Sequence, residues 1–341
     1  MHEFGERVFH VLPRQVDQTV AAALREWLPG VSWSRIKKLI AGRYVQVSGN
    51  LCLDPARRLK LQDVVKILPR PAQAPPTPHD VTVIYLDEHL VVVDKPPGMT
   101  TNRHRDELRA SARRRQLQPT LDEVLPHIIA KIEGKKKRYK GVPPPVRAVH
   151  RLDRETSGLI VFARTGEAER GLMEQFRKHT TERKYLAIIH GYLPAQTIKS
   201  YLVRDRGDGR RGSTKNPNEG RIAITHVRPV ERIGNYTLVE CRLETGRTHQ
   251  IRIHLAEAGH PVCGEKIYNR PLFGEPIPDH SGAPRLALAA VELGFIHPIT
   301  KQPMKFEIPL PKDLTDFLHE LRRRARQEKS SRTESKEPPS A

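Results

Sequence analysis

The stretch PAQAPPTPH, residues 71–79, constrains this chain most, because four prolines cannot be carried through a helix or a central strand. Each removes a backbone donor and fixes φ, so the segment reads as an extended linker dividing the 341-residue chain. The piece from 14 to 70 is compact and basic, whereas 80–318 is long enough to bury a core of its own. Residues 20–27 have helical apolar spacing. Residues 34–40 predict a second helix with Ser34 as N-cap and Gly42 at its end. Residues 44–47 alternate like a strand, Ser48-Gly49-Asn50 is a turn, and 63–68 supply a closing strand.

After residue 80 the texture changes to short β-type runs at 81–86, 90–93, 159–163, 185–189 and 236–243. Helical patterns at 120–132, 166–178 and 248–258 fall between them, which predicts an α+β class. Two basic insertions, 103–115 and 131–140, each carry six Lys or Arg without apolar periodicity, and are expected to be mobile loops or short solvated helices. The basic tail 322–341, RRRARQEKSSRTESKEPPSA, is expected to be disordered on composition.

Charge narrows the partners. Lys and Arg number 59 against 39 Asp and Glu, a net +20. Such a field attracts polyanions, so nucleic acid is the expected partner. Cys52, Cys241 and Cys263 lack CxxC spacing, which argues against a disulfide framework or a structural zinc site and fits a reducing cytoplasm. No run approaches the roughly 18 apolar residues of a membrane helix, so no membrane association is expected.

Three stretches set polar residues into apolar surroundings: AVHRLDRETSGLIVFAR at 148–164, TERKYLAIIHG at 181–191 and LETGRTHQIRIHL at 243–255. In the first, Asp153 and its charged neighbours abut a run, 159–163, that can only be buried. A buried charge must be paired or neutralised. An aspartate at a strand edge with an arginine on a helix suggests a hydrogen-bonded ion pair, which serves either structure or an ionised nucleophile or base. His249, His254, His260 and Cys263 do not make a metal site, since His249 and His254 are five apart rather than three or four.

The motifs VHRLDRETSGLIVFAR, DKPPGM, ERKYLA and ETGRTHQIRIHLAEAGHPVCGEKIY resemble, in order across most of 80–311, those of the RluA family of pseudouridine synthases. The resemblance implies a bent, mainly antiparallel mixed β-sheet with flanking helices and a central cleft, and an enzyme that needs no metal or organic cofactor. It implies Asp153 as the catalytic aspartate that breaks the uridine N-glycosidic bond. Tyr185 would pack on the base and assist proton removal, and Arg252 would pair with Asp153. Arg151 would fill the stack left by a flipped uridine, with His150 and Arg247 beside it on the RNA.

Before the linker, the order helix, basic helix, glycine turn and short strands resembles the alpha-L RNA-binding domain of small-subunit ribosomal protein four. That likeness implies that Arg35, Lys37 and Lys38 lie along RNA phosphates. A basic helix face is otherwise only a solvated face.

The chain departs from the family at two places. Gly264-Glu265 stands where Gly-Asp is usual, and Leu288-Ala289-Ala290 where Leu-His-Ala is usual. Both are expected to lie away from the matched catalytic positions. The expected function is isomerisation of uridine in structured RNA by a monomer, with large-subunit ribosomal RNA favoured over transfer RNA. The alternatives are a catalytically silent ribosome-assembly factor and a glycosidase-like hydrolase with Glu155 as its second carboxylate.

Overall fold

A computed structural model describes residues 5–72, 74–103, 118–134, 143–206 and 209–334. Its described residues separate into two compact units, the first running to Pro75 and including 118–119, the second comprising 76–103 and the chain from 120 on.

In the first unit, β1 (Arg7–His10) is followed by α1 (Val20–Trp27) and α2 (Trp33–Ala41). Then come β2 (Val45–Val47), β3 (Asn50–Leu51) and β4 (Val64–Ile67), pairing antiparallel in the order β1-β4-β2-β3. Val20, Leu24 and Leu28 pack with Ile36, Leu39 and Ile40 against Val45, Val47, Val65 and Ile67. The N-cap of α2 is Ser32, not Ser34. Ser32 is extended (ψ 153°) and its hydroxyl accepts the Arg35 N–H at 3.3 Å, which starts the helix one residue ahead of Ser34. Gly42 ends it, donating its N–H to the Lys38 carbonyl. With Ile36, Leu39 and Ile40 inward, Arg35, Lys37 and Lys38 are left exposed.

The second unit is built on one large mixed sheet. Its elements begin with β5 (Thr82–Leu86), β6 (Leu90–Lys95), α3 (Leu121–Glu133), β7 (Arg147–Ala148), β8 (Ser157–Ala163) and α4 (Gly166–Lys178). They continue with β9 (Glu182–His190), β10 (Gln196–Val203), β11 (Gly212–Thr214), β12 (Arg221–Ile233) and β13 (Tyr236–Leu243). The last are α5 (Gln250–Glu257), β14 (Leu288–Ile296), β15 (Pro303–Glu307) and α6 (Lys312–Glu334).

The strand order is β11-β10-β12-β13-β9-β14-β8-β6-β5, with β15 against β14 and β7 against β8. Neighbours pair antiparallel except at the β14–β8 seam, which is parallel. At that seam Gly158 (φ +114°) faces Ala290 so closely that a Cβ would lie 2.1 Å from the Ala290 carbonyl oxygen. Only glycine fits there. The residues of β8 are buried along its whole length, which explains its unbroken apolar pattern.

Two expectations from composition do not hold. Residues 322–334 are helical, not disordered: they continue α6, whose stripe Leu314, Phe317, Leu318, Leu321 and Ala325 packs on the core. Arg322 forms a two-pronged bond to Glu231 (2.9 and 2.6 Å), and Arg324 reaches the Ser281 carbonyl at 3.0 Å. Similarly, Arg103 is not part of a loose basic loop. Its buried guanidinium makes a two-pronged bond to Glu123 (2.7 and 2.8 Å) at the start of α3. Residues 131–133 are the last turn of α3, where Glu133 pairs with Arg164 at 2.9 Å. The remainder of both insertions, 104–115 and 135–140, lies outside the described residues, as do 335–341. No described helix is long and apolar enough to cross a membrane.

Candidate active site

Residues 149–156 connect β7 to β8 and carry Asp153. The loop is pinned by the segment that leaves β6. Thr101 donates its hydroxyl to the Leu152 carbonyl (2.8 Å) and accepts the Leu152 N–H (3.2 Å). The Gly98 N–H donates to the Arg154 carbonyl (2.7 Å), while Arg154 Nε donates to the Gly98 carbonyl (3.1 Å). Fully buried Lys95 donates from Nζ to the carbonyls of Pro96 (3.0 Å), Met99 (2.9 Å) and Arg154 (3.2 Å). Burial pulls Lys95 down to about 7, against the charges of Glu155 and Asp153 that favour the ammonium. The signal for this splint was a lysine closing the apolar run LVVVDK, which had to find acceptors once buried.

His150 also belongs to the loop's anchorage. Its Nε2 accepts the Val161 N–H at 3.1 Å and its ring stacks on Phe176 at 4.3 Å between centroids. Burial drops it to about 3, so the ring is the neutral acceptor this bond needs.

On the opposite wall, α5 is buried almost throughout. Gln250 ties its first turn down: Nε2 donates to the Ile224 carbonyl and the Thr225 hydroxyl, and Oε1 accepts from the Thr245 hydroxyl and the Arg247 N–H. Two residues on, Arg252 makes its short bonds to Glu265, at 2.7 Å from both Nε and Nη2. Its Nη1 lies 3.8 Å from Asp153 Oδ2, and its guanidinium sits 5.2 Å from the Tyr268 ring centroid. Glu265 Oε1 accepts three further backbone bonds, from Lys266, Ile267 and Tyr268. Burial alone would raise the Glu265 carboxyl, but the Arg252 hydrogen bonds and charge hold it below the ordinary range.

This arrangement extends one expectation and corrects another. Arg252 pairs with Asp153 as expected, at 3.8 Å, but its short bonds go to a second carboxylate that was not foreseen, and the Gly264-Glu265 departure is not remote from the catalytic positions. Glu265 is the group that holds Arg252. The Leu288-Ala289-Ala290 departure is also local, since Leu288 lines the cleft and Ala290 pairs with both Tyr185 and Gly158.

Asp153, Tyr185, Arg252, Arg151, His150 and Arg247 all line one cleft of about 390 Å³. Arg35, Lys37 and Lys38 belong to the first unit and are not among its lining residues. Tyr185 is buried on β9, opposite Cys241 of β13 and Ala290 of β14, and burial pushes its hydroxyl up to about 12. Arg151 is exposed at the mouth, with no ion-pair partner among the described residues. Arg247 is half-buried, and its Nε donates to the Ile222 carbonyl at 3.0 Å. Among the described residues the Asp153 carboxylate accepts no hydrogen bond. Its nearest cationic or imidazole nitrogens are Arg252 Nη1 and His249 Nε2, each at 3.8 Å.

Sequence reasoning missed Arg183 as well. This buried arginine donates to the carbonyls of Leu243 and Glu244 and lies 5.7 Å from the Phe176 ring centroid. A Cβ at position 246 would meet its Nη1 at 2.8 Å, so Gly246 makes room for Arg183 rather than merely turning the chain.

Comparison with known proteins gives a consistent result. The family described as RNA pseudouridylate synthase matches residues 89–257. The chain is 36% identical over 298 residues to "Ribosomal large subunit pseudouridine synthase D" of Zymomonas mobilis, covering 86% of this chain and 90% of that one. It is 32% identical over 313 residues to "Uncharacterized RNA pseudouridine synthase YlyB" of Bacillus subtilis, covering 91% and 94%. Among solved structures, "Human RNA Pseudouridylate Synthase Domain Containing 4" shares the fold, with a TM-score of 0.54 at 24% identity, over 71% of this chain and 93% of that one.

Proposed function

This chain belongs to the RNA pseudouridylate synthase family, and from that premise we propose that it isomerises uridines of large-subunit ribosomal RNA with Asp153 as the catalytic carboxylate. The observation that carries the assignment is the Asp153 carboxylate itself. It lies in the cleft beside Tyr185 and Arg252, yet no described donor occupies its lone pairs. A structural carboxylate in such a place would be bonded; this one is kept available.

A uridine inside folded RNA hides its glycosidic bond, so the nucleotide must leave the stack to reach the cleft. Exposed Arg151, two residues before Asp153, is placed to fill the gap with a planar cation that can stack and pair with phosphate. Asp153 acts at the sugar as the N1–C1′ bond breaks and the base turns. A C5–C1′ bond then forms, C5 loses its proton, and N1 gains one, so the product is an isomer of the substrate. Tyr185 offers the base an aromatic face and a hydroxyl that keeps its proton at neutral pH. Arg252, held by Glu265, keeps a positive charge beside the reacting carboxylate.

The ribosomal target is supported by the name of the Zymomonas mobilis relative and by the net charge of +20. In the first unit, exposed Arg35, Lys37 and Lys38 on α2 act as the alpha-L-like grip on RNA phosphates. The test is release of tritium to water from RNAs labelled at uridine C5. Large-subunit ribosomal RNA should release it with wild type and not with Asp153→Asn. Release from transfer RNA alone would overturn the target, and equal activity of Asp153→Asn would overturn the mechanism.

A further inference from the structure

His249 holds a backbone conformation that few side chains adopt. It precedes α5 at φ +60° and ψ +18°, and its side chain caps no backbone N–H there. A non-glycine residue in this region persists where its surroundings over-determine it, often at a functional site. Here the ring is fixed at one nitrogen and faces a carboxylate with the other. Nδ1 lies 2.7 Å from the Tyr268 hydroxyl, with the two rings edge-on at 5.4 Å, and Nε2 lies 3.8 Å from Asp153 Oδ1. Arg252 Nη1 stands at the same 3.8 Å from the other oxygen, Oδ2.

The hydrogen-bond directions follow from what each group can do. An ionised carboxylate only accepts, so the ring serves it by turning an N–H towards it. Nδ1 is then unprotonated and must accept from Tyr268. Burial pushes the Tyr268 hydroxyl up to about 12 and lowers His249, so the phenol keeps its proton and the imidazole stays neutral. The chain runs one way, from Tyr268 Oη–H to His249 Nδ1, and from His249 Nε2–H towards Asp153 Oδ1. We propose that His249, its tautomer fixed by Tyr268, is a positioning residue that aims the Asp153 carboxylate at the sugar. This rests on Asp153 being the catalytic group. At 3.8 Å the last link is open, and it closes when substrate enters, as catalytic hydrogen bonds commonly do.

Two amides separate this role from a backbone one. Asparagine tolerates the left-handed conformation and sets its amide near the place of Nδ1, so H249N keeps the fold and loses the donor to Asp153. Glutamine sets a terminal N–H near the place of Nε2, so H249Q keeps that donor in a less favourable backbone. The readouts are kcat and KM for tritium release from C5-labelled large-subunit ribosomal RNA, with thermal melting of each variant. H249N should melt like wild type and keep its KM while kcat falls about 100-fold. H249Q should recover most of kcat, and Y268F should show a smaller loss, again in kcat alone.

Wild-type kcat in H249N, or a loss carried by KM, overturns the proposal. Should H249N melt early, Y268F leaves the left-handed backbone untouched, and wild-type kcat there overturns it instead. A wild type that releases no tritium removes the underlying reading of Asp153, an outcome distinct from variants that fail against an active wild type.

Discussion

Asp153 and Glu265 lie on two loops that face the same guanidinium, yet the protein treats the two carboxylates in opposite ways. Glu265 accepts from Arg252 Nε and Nη2 and from the N–H groups of Lys266, Ile267 and Tyr268, all within 3.3 Å. Asp153 has its nearest cationic or imidazole nitrogens at 3.8 Å on either side and is fastened instead through the backbone of its loop, by Lys95, Gly98 and Thr101. The first carboxylate is held by five hydrogen bonds; the second is placed by its loop and accepts none from the described residues. Rigidity of the main chain and freedom of the side chain are therefore supplied by different residues, which is what pre-organisation of a reacting group requires.

The contrast can be broken at either carboxylate. Asp153→Asn should lower tritium release by about 10⁴-fold or more, while shifting urea unfolding by no more than about 1 kcal/mol. A large stability loss in that variant would mean the carboxylate is structural after all. Glu265→Ala should behave in the opposite sense, costing about 3–5 kcal/mol in the same unfolding experiment because it strands the buried Arg252 charge. If that variant unfolds like wild type, Arg252 does not depend on Glu265.

The acid side offers the smallest and sharpest test. The unfolded chain takes up the Glu265 proton near 4.5 and the folded chain at lower pH. Below 4.5 the unfolded state thus binds more protons, and stability falls as pH drops. Glu265→Gln should remove that part of the slope. It should leave unchanged the decline that begins near 6.5, where His150 and His254 protonate in the unfolded chain but not in the folded one, whose values are about 3 and about 4. An unchanged slope below 4.5 would show that Glu265 is not linked to folding.

Asp153 and Tyr185 were singled out by the resemblance of their motifs; from the residues alone, Asp153 beside the run 159–163 read equally as half of a structural ion pair. Glu265 was not, since an ion pair read from sequence has no direction: Arg252 had two carboxylates to choose from, thirteen residues ahead and ninety-nine behind. Lys95 and Thr101 work through carbonyl groups, which every residue carries, so although LVVVDK marked Lys95 as a lysine in need of acceptors, nothing in the sequence named those acceptors. The helix at 322–334 was hidden by its arginines. The stripe of Leu314, Phe317, Leu318 and Leu321 just before it, with Ala325 inside it, showed the helix that runs into this segment. Ser32 and Ser34 are equivalent in residue type, and only the extended backbone at Ser32 decided between them.

The parallel seam at Gly158 bears on the order in which the enzyme is made. Strand β8, directly behind the Asp153 loop, takes β6 on one edge from earlier in the chain and β14 on the other from residues 288–296. β7 covers that second edge at Phe162 and Ala163, so its Ser157–Gly158 end alone stays open during synthesis until more than a hundred further residues have left the ribosome. Arg252 and Glu265 emerge in the same interval. The chain must therefore be made as far as β14 before the sheet behind the Asp153 loop can be complete.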